Sequence, residues 1–322
     1  TAAGEEKMRI LFMGTPDFAV FALRALIETG EDVIGVVTQP DQPRGRGYVL
    51  TPPPGKVCAE ENGIPVYQPE KLKTQEFSDL LFELDPELII VAAYGKILPA
   101  AVLDYPACGC INIHGSLLPE YRGAAPIQRA IMDGKTVTGI PTMMMDVGLD
   151  TGDILLTGEV KIEPEDNFET VHDKMGACGA EVLLRTLAAL RNGTLRRIPQ
   201  DGSRSTYAAK IEKSDCILHF SDTAESLHNR IRALSPFPLA FTHLPNGKLL
   251  KITEARVSER KKNDDVPAGT VIATDGGNIS VACGTGVLDL LGVLPEGKGR
   301  MTAAAFLNGH GVKTGDLLGG ND

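Results

Sequence analysis

The stretch ELIIVAAYG, residues 87–95, is apolar almost throughout, as a strand covered on both faces would be. Outward from it lie two similar runs toward the N-terminus, MRILFMG (residues 8–14) and DVIGVVTQP (residues 32–40), and one toward the C-terminus, CINIH (residues 110–114). Strands that alternate with helices predict an α/β fold with a doubly wound, mainly parallel sheet. The carboxyl ends of its strands should share one edge, where the ligands of such sheets bind.

Capping and turn residues predict where the elements begin and end. Thr15 is a predicted helix N-cap, with Pro16 at the first helical position and Gly30 at the helix stop. The stretch 41–56, DQPRGRGYVLTPPPGK, is rich in Pro and Gly and is predicted to be a loop. Two further helices are expected, over about residues 124–133 and 167–192.

The pattern of apolar and turn-forming residues changes near residue 211. One helix, AESLHNRIRAL, is followed by short apolar runs broken by Asn-Gly, Gly-Gly and Gly-Thr-Gly. This pattern predicts a small second domain that is rich in strands and β-barrel-like. The predicted boundaries are a first domain over 8–193, a linker over 194–210 and a second domain over 211–322, with residues 1–7 interpreted as a cloning remnant ahead of Met8.

The composition is that of an ordinary globular chain. Of 322 residues, 43% are hydrophobic and 23% are charged, and no apolar run approaches the length of a membrane-spanning helix. The net charge of −10 argues against nucleic-acid binding over the whole surface, but it does not exclude a local basic face. Six cysteines at irregular spacing, without the pattern of a zinc site, predict reduced thiols in a reducing compartment.

The end of the CINIH run carries the residues with the clearest chemistry. Asn112 and His114 are two positions apart, so on a strand they point the same way, and both can donate a hydrogen bond to one oxygen. Asp146, Asp150 and Asp153 lie in a later glycine-rich loop, and any of them can supply a carboxylate. An amide, an imidazole and a carboxylate suit acyl transfer to an external nucleophile. Spacing alone leaves another interpretation open, in which the pair is structural and the aspartates form turns.

A longer stretch around this pair resembles a known family. The segment INIHGSLLPEYRGAAPIQRAI, residues 111–131, is similar to the signature of the folate-dependent formyltransferases, which carry Asn-x-His-x-Ser-Leu-Leu-Pro and an aspartate loop further on. GTPDFAV, AAYGKILP and TGIPTMMMDVGLDTGDIL extend the resemblance from Met8 to near the C-terminus. It implies a Rossmann-like catalytic domain, an OB-like C-terminal domain, and Asn112, His114 and Asp150 as the catalytic residues.

The resemblance also implies the substrates. The formyl donor is expected to be 10-formyltetrahydrofolate, and the acceptor the α-amino group of methionine esterified to initiator tRNA. No metal is implied. The residues expected to line the folate site are Ser116, Leu117, Leu118, Pro119, Ile97 and Leu98.

The stretch 41–56 resembles the loop with which the tRNA-dependent members of this family meet the acceptor arm. Arg46 is its expected main contact with tRNA, with Arg44 and Lys56 nearby, and Lys298 is a further expected contact. The other candidates for a basic stripe are Arg256, residues 260–262 and Arg300.

Two other functions stay open at this point: formyl transfer to a small amine such as an amino-sugar nucleotide, and a catalytically silent module that binds RNA or folate. A monomer in the bacterial cytoplasm is expected.

Overall fold

The computed structural model describes residues 7–44, 48–309 and 311–319. The chain divides into two compact units. The first consists of Thr1–Gly123, Val137–Lys161 and His172–Tyr207, and the second of Ala124–Thr136, Ile162–Val171 and Ala208–Asp322. Two short segments inside the predicted first domain therefore pack with the second unit, and most of the predicted linker packs with the first.

In chain order, the strands of the described residues are β1 (Arg9–Gly14), β2 (Asp32–Val37), β3 (Gln42–Arg44), β4 (Val49–Thr51), β5 (Val66–Tyr67), β6 (Leu88–Ala92), β7 (Cys110–Ile113), β8 (Arg122–Gly123), β9 (Val137–Met144), β10 (Ile154–Lys161), β11 (Tyr207–Ala208), β12 (Ala240–His243), β13 (Leu249–Val257), β14 (Val271–Ala273), β15 (Ile279–Ala282), β16 (Val287–Pro295) and β17 (Met301–Thr302). The helices are α1 (Asp17–Glu28), α2 (Pro54–Glu61), α3 (Gln75–Leu84), α4 (Ala100–Leu103), α5 (Pro126–Met132), α6 (Phe168–Arg191), α7 (Ala224–Ala233) and α8 (Ala303–Asn308).

The first unit is built on a seven-stranded sheet in the order β10-β9-β7-β6-β1-β2-β5. The pairs β1–β2, β1–β6, β2–β5 and β6–β7 are parallel, whereas β9 runs antiparallel to β7 and β10 antiparallel to β9. All five residues of β6 are buried, which explains the apolar stretch that follows Glu87. The predicted doubly wound, mainly parallel sheet is confirmed. Because the chain returns past β1 to reach β6, the order reverses beside the carboxyl ends of these two strands, where ligands of such sheets bind.

The beginning of α1 differs from the prediction. Helix α1 starts at Asp17 with Pro16 as its N-cap, and no side chain caps it. The Thr15 hydroxyl instead donates to the carbonyl of Tyr94 (3.2 Å) and accepts from the amide of Gln39 (3.1 Å). The prediction that Thr15 caps the helix is therefore wrong, because its hydroxyl joins the ends of three neighbouring strands. The predicted stop at Gly30 is confirmed, with a left-handed φ of 70° two residues after the helix.

The stretch 41–56 also contains more structure than predicted. Strands β3 and β4 pair antiparallel as a short hairpin, with Gln42 opposite Thr51, and α2 begins at Pro54. The prediction of a loop over the whole stretch is wrong for these segments, because Pro and Gly mark the turns but do not prevent local pairing on an edge.

Helices α1 and α6 of the first unit are joined through His172. Its Nε2 lies 3.4 Å from Asp17 Oδ1 and its Nδ1 lies 2.9 Å from Asp173 Oδ1. Burial lowers the pKa of His172, but hydrogen bonds to the two carboxylates raise it by more, so the pKa is raised overall. The ring also packs edge-on against Phe18 at a centroid distance of 5.3 Å.

The second unit is built on a curled, antiparallel sheet in the order β12-β13-β16-β15-β14, with β17 paired to β16. Helix α7 buries Leu227 and Ile231 in the same core cluster as Ile252 and Leu290 of the sheet. The sheet forms a half-barrel, which confirms the predicted barrel-like domain. Among the helices of the described residues, none combines the length and the apolar character that crossing a bilayer requires.

Candidate active site

Strand β7 brings Asn112 and His114 to the carboxyl edge of the sheet. Asn112 lies between Val91 of β6 and Met143 of β9, and its side-chain amide is hydrogen-bonded to none of the residues that the structure describes. His114 follows the last residue of the strand, and its backbone amide donates to the carbonyl of Pro141 (3.1 Å). Only 7% of its surface is exposed. The structure thus places an unengaged amide and a buried imidazole on alternate positions at one strand end.

The contacts of the His114 ring define where its protons lie. Nε2 is 3.0 Å from the carbonyl oxygen of Tyr121. Because a carbonyl oxygen only accepts, Nε2 must carry a hydrogen. Nδ1 faces Oδ1 of Asp150 at 3.6 Å, which is an ion-pair distance but is too long for a hydrogen bond. The ring nitrogen that can exchange a proton is therefore Nδ1, on the side of Asp150.

The structure distinguishes the three aspartates that residue spacing alone left open. Asp150 is the one whose carboxylate faces His114, and its Oδ2 accepts from the amide of Gly123 (2.9 Å). Asp146 Oδ1 accepts from the amide of Gly148 (3.0 Å) and from the hydroxyl of Thr151 (2.6 Å), so its role is to close the loop. The backbone carbonyl of Asp153 pairs the end of that loop with Met144 (2.8 Å).

Gln200, a residue that the sequence did not single out, holds the aspartate loop. The amide nitrogen of Gln200 donates to the carbonyls of Asp150 (2.9 Å) and Gly152 (2.7 Å). Its amide oxygen accepts from Arg122 Nη2 (2.8 Å). Gln200 falls in the predicted linker, and no local sequence pattern marks it, since its partners are 48 to 78 residues away.

The backbone around the site is strained at several positions. Ala93, Tyr121 and Asp150 have φ values of 45°, 56° and 52°, in the left-handed region that residues other than glycine seldom adopt. Ala93 follows β6 directly, Tyr121 supplies the carbonyl that His114 binds, and Asp150 faces the imidazole. Such strain persists only where the surroundings impose the conformation. At Gly152, a Cβ would lie 1.7 Å from the carbonyl of Met144, so this position requires glycine.

The residues expected to line a folate site fall into different environments. The Ser116 hydroxyl is fully buried and donates to the carbonyl of Glu120 (2.6 Å), so it holds the turn together. Leu118 is buried, whereas Leu117 and Pro119 are half-buried. The side chains of Ile97 and Leu98 differ most: Ile97 is 82% exposed, whereas Leu98 is 3% exposed and packs in the core. The expected folate roles stay predictions.

The residues of the first unit that are expected to contact tRNA also differ in their surroundings. Arg46 lies outside the described residues, and Arg44 lies in β3. The Lys56 ammonium is engaged by both carboxylate oxygens of Asp41 (3.0 and 3.1 Å) and by Gln68 Oε1 (3.0 Å). Lys56 therefore ties the two ends of the 41–56 stretch together.

In the second unit, Lys298 is exposed in the turn after β16. Arg256 and Arg260 are paired with acidic side chains, Asp289 (3.4 Å) and Asp275. Arg300 donates to the carbonyl of Pro236 (2.7 Å), and Lys262 donates to that of Cys283 (2.8 Å).

Two other titratable groups, one after β6 and one at the start of β7, are unsuited to proton transfer. Burial raises the pKa of Tyr94 to about 12, so its hydroxyl stays neutral at ordinary pH. Burial likewise raises the pKa of the Cys110 thiol in β7 to about 12. Within the described ranges, no three His, Cys, Asp or Glu side chains converge as a group that could hold a metal ion.

Two protein-family models match the chain. The model of the formyl transferase family covers residues 8–187, and that of the formyl transferase C-terminal domain covers residues 210–311. A methionyl-tRNA formyltransferase of Geotalea daltonii is 45% identical over 315 residues, which span 98% of this chain and 99% of the relative.

Solved structures show the same fold at much lower identity. A methionyl-tRNA formyltransferase from Clostridium thermocellum matches with a TM-score of 0.55 and 18% identity, over 81% of this chain and 98% of the other. An N-formyltransferase from Helicobacter canadensis, in complex with folinic acid and dTDP-3-aminofucose, matches with a TM-score of 0.64 and 16% identity, over 88% and 98%. Identities this low establish a shared fold alone.

Proposed function

We infer the reaction from one premise: the chain belongs to the formyltransferase family, in the branch of the methionyl-tRNA formyltransferases. It transfers a formyl group to the amino group of methionyl-tRNA. We further propose that the donor is 10-formyltetrahydrofolate and that the acceptor is the initiator tRNA. The observation that carries the proposed site is the His114 ring, held at Nε2 by Tyr121 and facing Asp150 through Nδ1.

The proposed reaction begins with attack of the acceptor's α-amino nitrogen on the formyl carbon. An α-amino group has a pKa of roughly 8, so a useful fraction is neutral near pH 7 without a strong base. The new C–N bond forms as the carbonyl oxygen becomes an oxyanion. The unengaged amide of Asn112 can donate to that oxygen, and a donor of this kind contributes ~3–4 kcal/mol to transition-state stabilisation.

The tetrahedral intermediate then collapses. The bond between the formyl carbon and the folate nitrogen breaks, the attacking nitrogen loses a proton, and the folate nitrogen gains one. His114 Nδ1 is the ring atom available for this transfer, because Nε2 donates to Tyr121. Asp150 orients the ring and stabilises its protonated form by charge. Contacts of this kind often shorten when substrate binds, so 3.6 Å in the free protein fits the role.

The binding residues are part of the same proposal. The apolar part of the Ser116–Pro119 turn and the exposed Ile97 contact the folate, while Ser116 holds the turn. Arg44, Arg46, Lys56 and Lys298 contact tRNA, and Lys56 also fixes the base of the 41–56 stretch through Asp41. We also propose that the enzyme acts as a monomer in the cytoplasm, where aminoacylated tRNA is available.

An amino-sugar nucleotide is the alternative acceptor. The Helicobacter canadensis enzyme supports it only through the fold, whereas 45% identity over nearly the whole chain joins this protein to the tRNA-dependent branch. The tRNA acceptor is therefore the better-supported function.

The test is transfer of labelled formyl from 10-formyltetrahydrofolate. Methionyl-initiator tRNA, free methionine and dTDP-3-aminofucose are offered as parallel acceptors, to wild type and to His114→Ala. Label on the tRNA alone, lost in the variant, is the expected result. Label on the sugar nucleotide would show that it is the acceptor in place of the tRNA. Full activity of His114→Ala would show that His114 takes no part in the mechanism.

A further inference from the structure

The loop between β9 and β10 presents two apolar side chains to solvent beside Asp150. Val147 is 78% exposed and Leu149 is 51% exposed. Single exposed apolar residues are common on protein surfaces. Here, however, both lie within three positions of a proposed catalytic carboxylate, and one is its direct neighbour in sequence.

The loop itself is firmly held, so the exposure belongs to a defined conformation. Asp146 closes it through the amide of Gly148 and the hydroxyl of Thr151. Gln200 binds the carbonyls of Asp150 and Gly152 from the other side. These hydrogen bonds involve backbone and polar groups only. None of these hydrogen bonds uses the side chain of Val147 or Leu149, so this closure of the loop does not require either residue to be apolar.

The covalent geometry of the acceptor brings an apolar group to the same place. In an aminoacyl ester, the side chain branches from the carbon that carries the reacting amine. From its nitrogen to the end of the methionine side chain is roughly 5–6 Å at ordinary bond lengths. The Cα atoms of Leu149 and Asp150 are about 3.8 Å apart across a trans peptide bond. When the amine reaches Asp150 and His114, its side chain is therefore long enough to contact the residues that flank them.

We propose that Val147 and Leu149 bind the thioether side chain of the methionyl acceptor and thereby make the enzyme selective for methionine. This inference rests on the proposed function. A methionine side chain gains binding free energy by covering the two apolar side chains. A polar side chain of similar length loses hydration there without gaining hydrogen bonds. Selection of this kind acts on the amino acid and is independent of the contacts that recognise the tRNA.

The test compares two acceptors that share one tRNA body, initiator tRNA charged with methionine and initiator tRNA charged with glutamine. The double variant Val147→Ser/Leu149→Ser should lower kcat/KM for the methionyl form by about 10- to 100-fold, in the range that small apolar contacts provide. For the glutaminyl form the change should stay below about twofold, because that side chain gains nothing from the apolar pair. The single variant Leu149→Met keeps an apolar contact and should retain the preference for methionine.

The matched control is Val257→Ser/Leu317→Ser. It removes a valine and a leucine that are 46% and 47% exposed in the second unit. Both acceptors should react with it as with wild type.

Three outcomes separate the hypotheses. Equal losses of kcat/KM for both acceptors would show that the loop only positions Asp150. Unchanged kcat/KM for both acceptors would place the methionine side chain elsewhere. Either result overturns the inference. Failure of the wild type to formylate methionyl-tRNA would instead refute the proposed function.

Discussion

Replacing Gln200 with alanine should slow formyl transfer without unfolding the protein. The change removes two hydrogen bonds to the aspartate loop, at 2.9 and 2.7 Å. Each such bond contributes a net ~0.5–1.5 kcal/mol, so the loop loses roughly 1–3 kcal/mol of support. Asp150 sits at a φ of 52°, a conformation that costs an L-residue roughly 1–2 kcal/mol. The free energy lost with the two hydrogen bonds is therefore about as large as the cost of the left-handed conformation at Asp150, which these bonds hold in place.

The expected kinetic effect follows from these two energies. If the loop relaxes, fewer molecules hold Asp150 against His114, and each 1.36 kcal/mol corresponds to about a tenfold change in rate. We expect kcat to fall by about 5- to 160-fold. The KM for the folate should change little, because the 116–119 turn is held by its own hydrogen bonds, including that from Ser116 to Glu120.

Two further variants sharpen the experiment. Gln200→Glu keeps an oxygen for Arg122 but replaces the donor by a carboxylate opposite two carbonyl oxygens, so it should be at least as impaired. Gln75→Ala is the control, because the Gln75 amide donates to Asp79 (2.7 Å) on the exposed face of α3, and its rate should equal that of wild type. Steady-state kinetics with methionyl-tRNA measure all three variants. A Gln200→Ala enzyme with the wild-type kcat would refute the reasoning.

Three other predictions address stability and reactivity. The pKa of His172 is raised in the folded state, so its stabilisation is complete below its ordinary pKa of about 6.5 and disappears as pH rises through the folded value. His172→Gln should therefore lower the free energy of unfolding in urea more at about pH 5.5 than at about pH 8.5, and equal losses would contradict this. Burial raises the pKa values of Cys110 and Cys283 to about 12 and about 11, so iodoacetamide at about pH 8 should modify neither thiol in the folded protein; mass spectrometry would detect labelling of either as a failure. Gly152→Ala places a methyl group 1.7 Å from a carbonyl oxygen and should lower both the melting temperature and the transfer rate. Gly202→Ala, with no atom within 4 Å of the new methyl group, should leave the melting temperature and the transfer rate unchanged. An equal loss in Gly202→Ala would contradict the steric explanation.

Local patterns in the sequence predicted the sheet well. The buried strand β6 and the two-residue spacing of Asn112 and His114 follow from strand geometry, which depends only on neighbouring residues. The end of α1 at Gly30 was equally local, since a helix stop needs one residue in the left-handed region. Features of this kind are encoded within a few positions of the residue concerned.

The parts that the sequence did not predict depend on contacts between distant segments. The anchoring of Asp150 by Gln200 spans 50 residues, and that of Thr15 by Tyr94 spans 79, so no periodicity could reveal either one. Choosing among three aspartates required the resemblance, because all three share a turn-forming context. The contacts of Lys56 are equally hidden in the sequence: its ammonium is engaged by Asp41 and Gln68, which lie 15 and 12 residues away.

The left-handed residues Ala93, Tyr121 and Asp150 bear on how this enzyme can evolve. Each lowers the free energy of unfolding at a place where glycine would relieve the strain. Selection for heat tolerance alone would favour such replacements, whereas selection for rate opposes them wherever a rigid backbone holds reacting groups in place. Relatives adapted to high temperature therefore face a conflict at these positions, and their added stability must come from residues elsewhere in the chain.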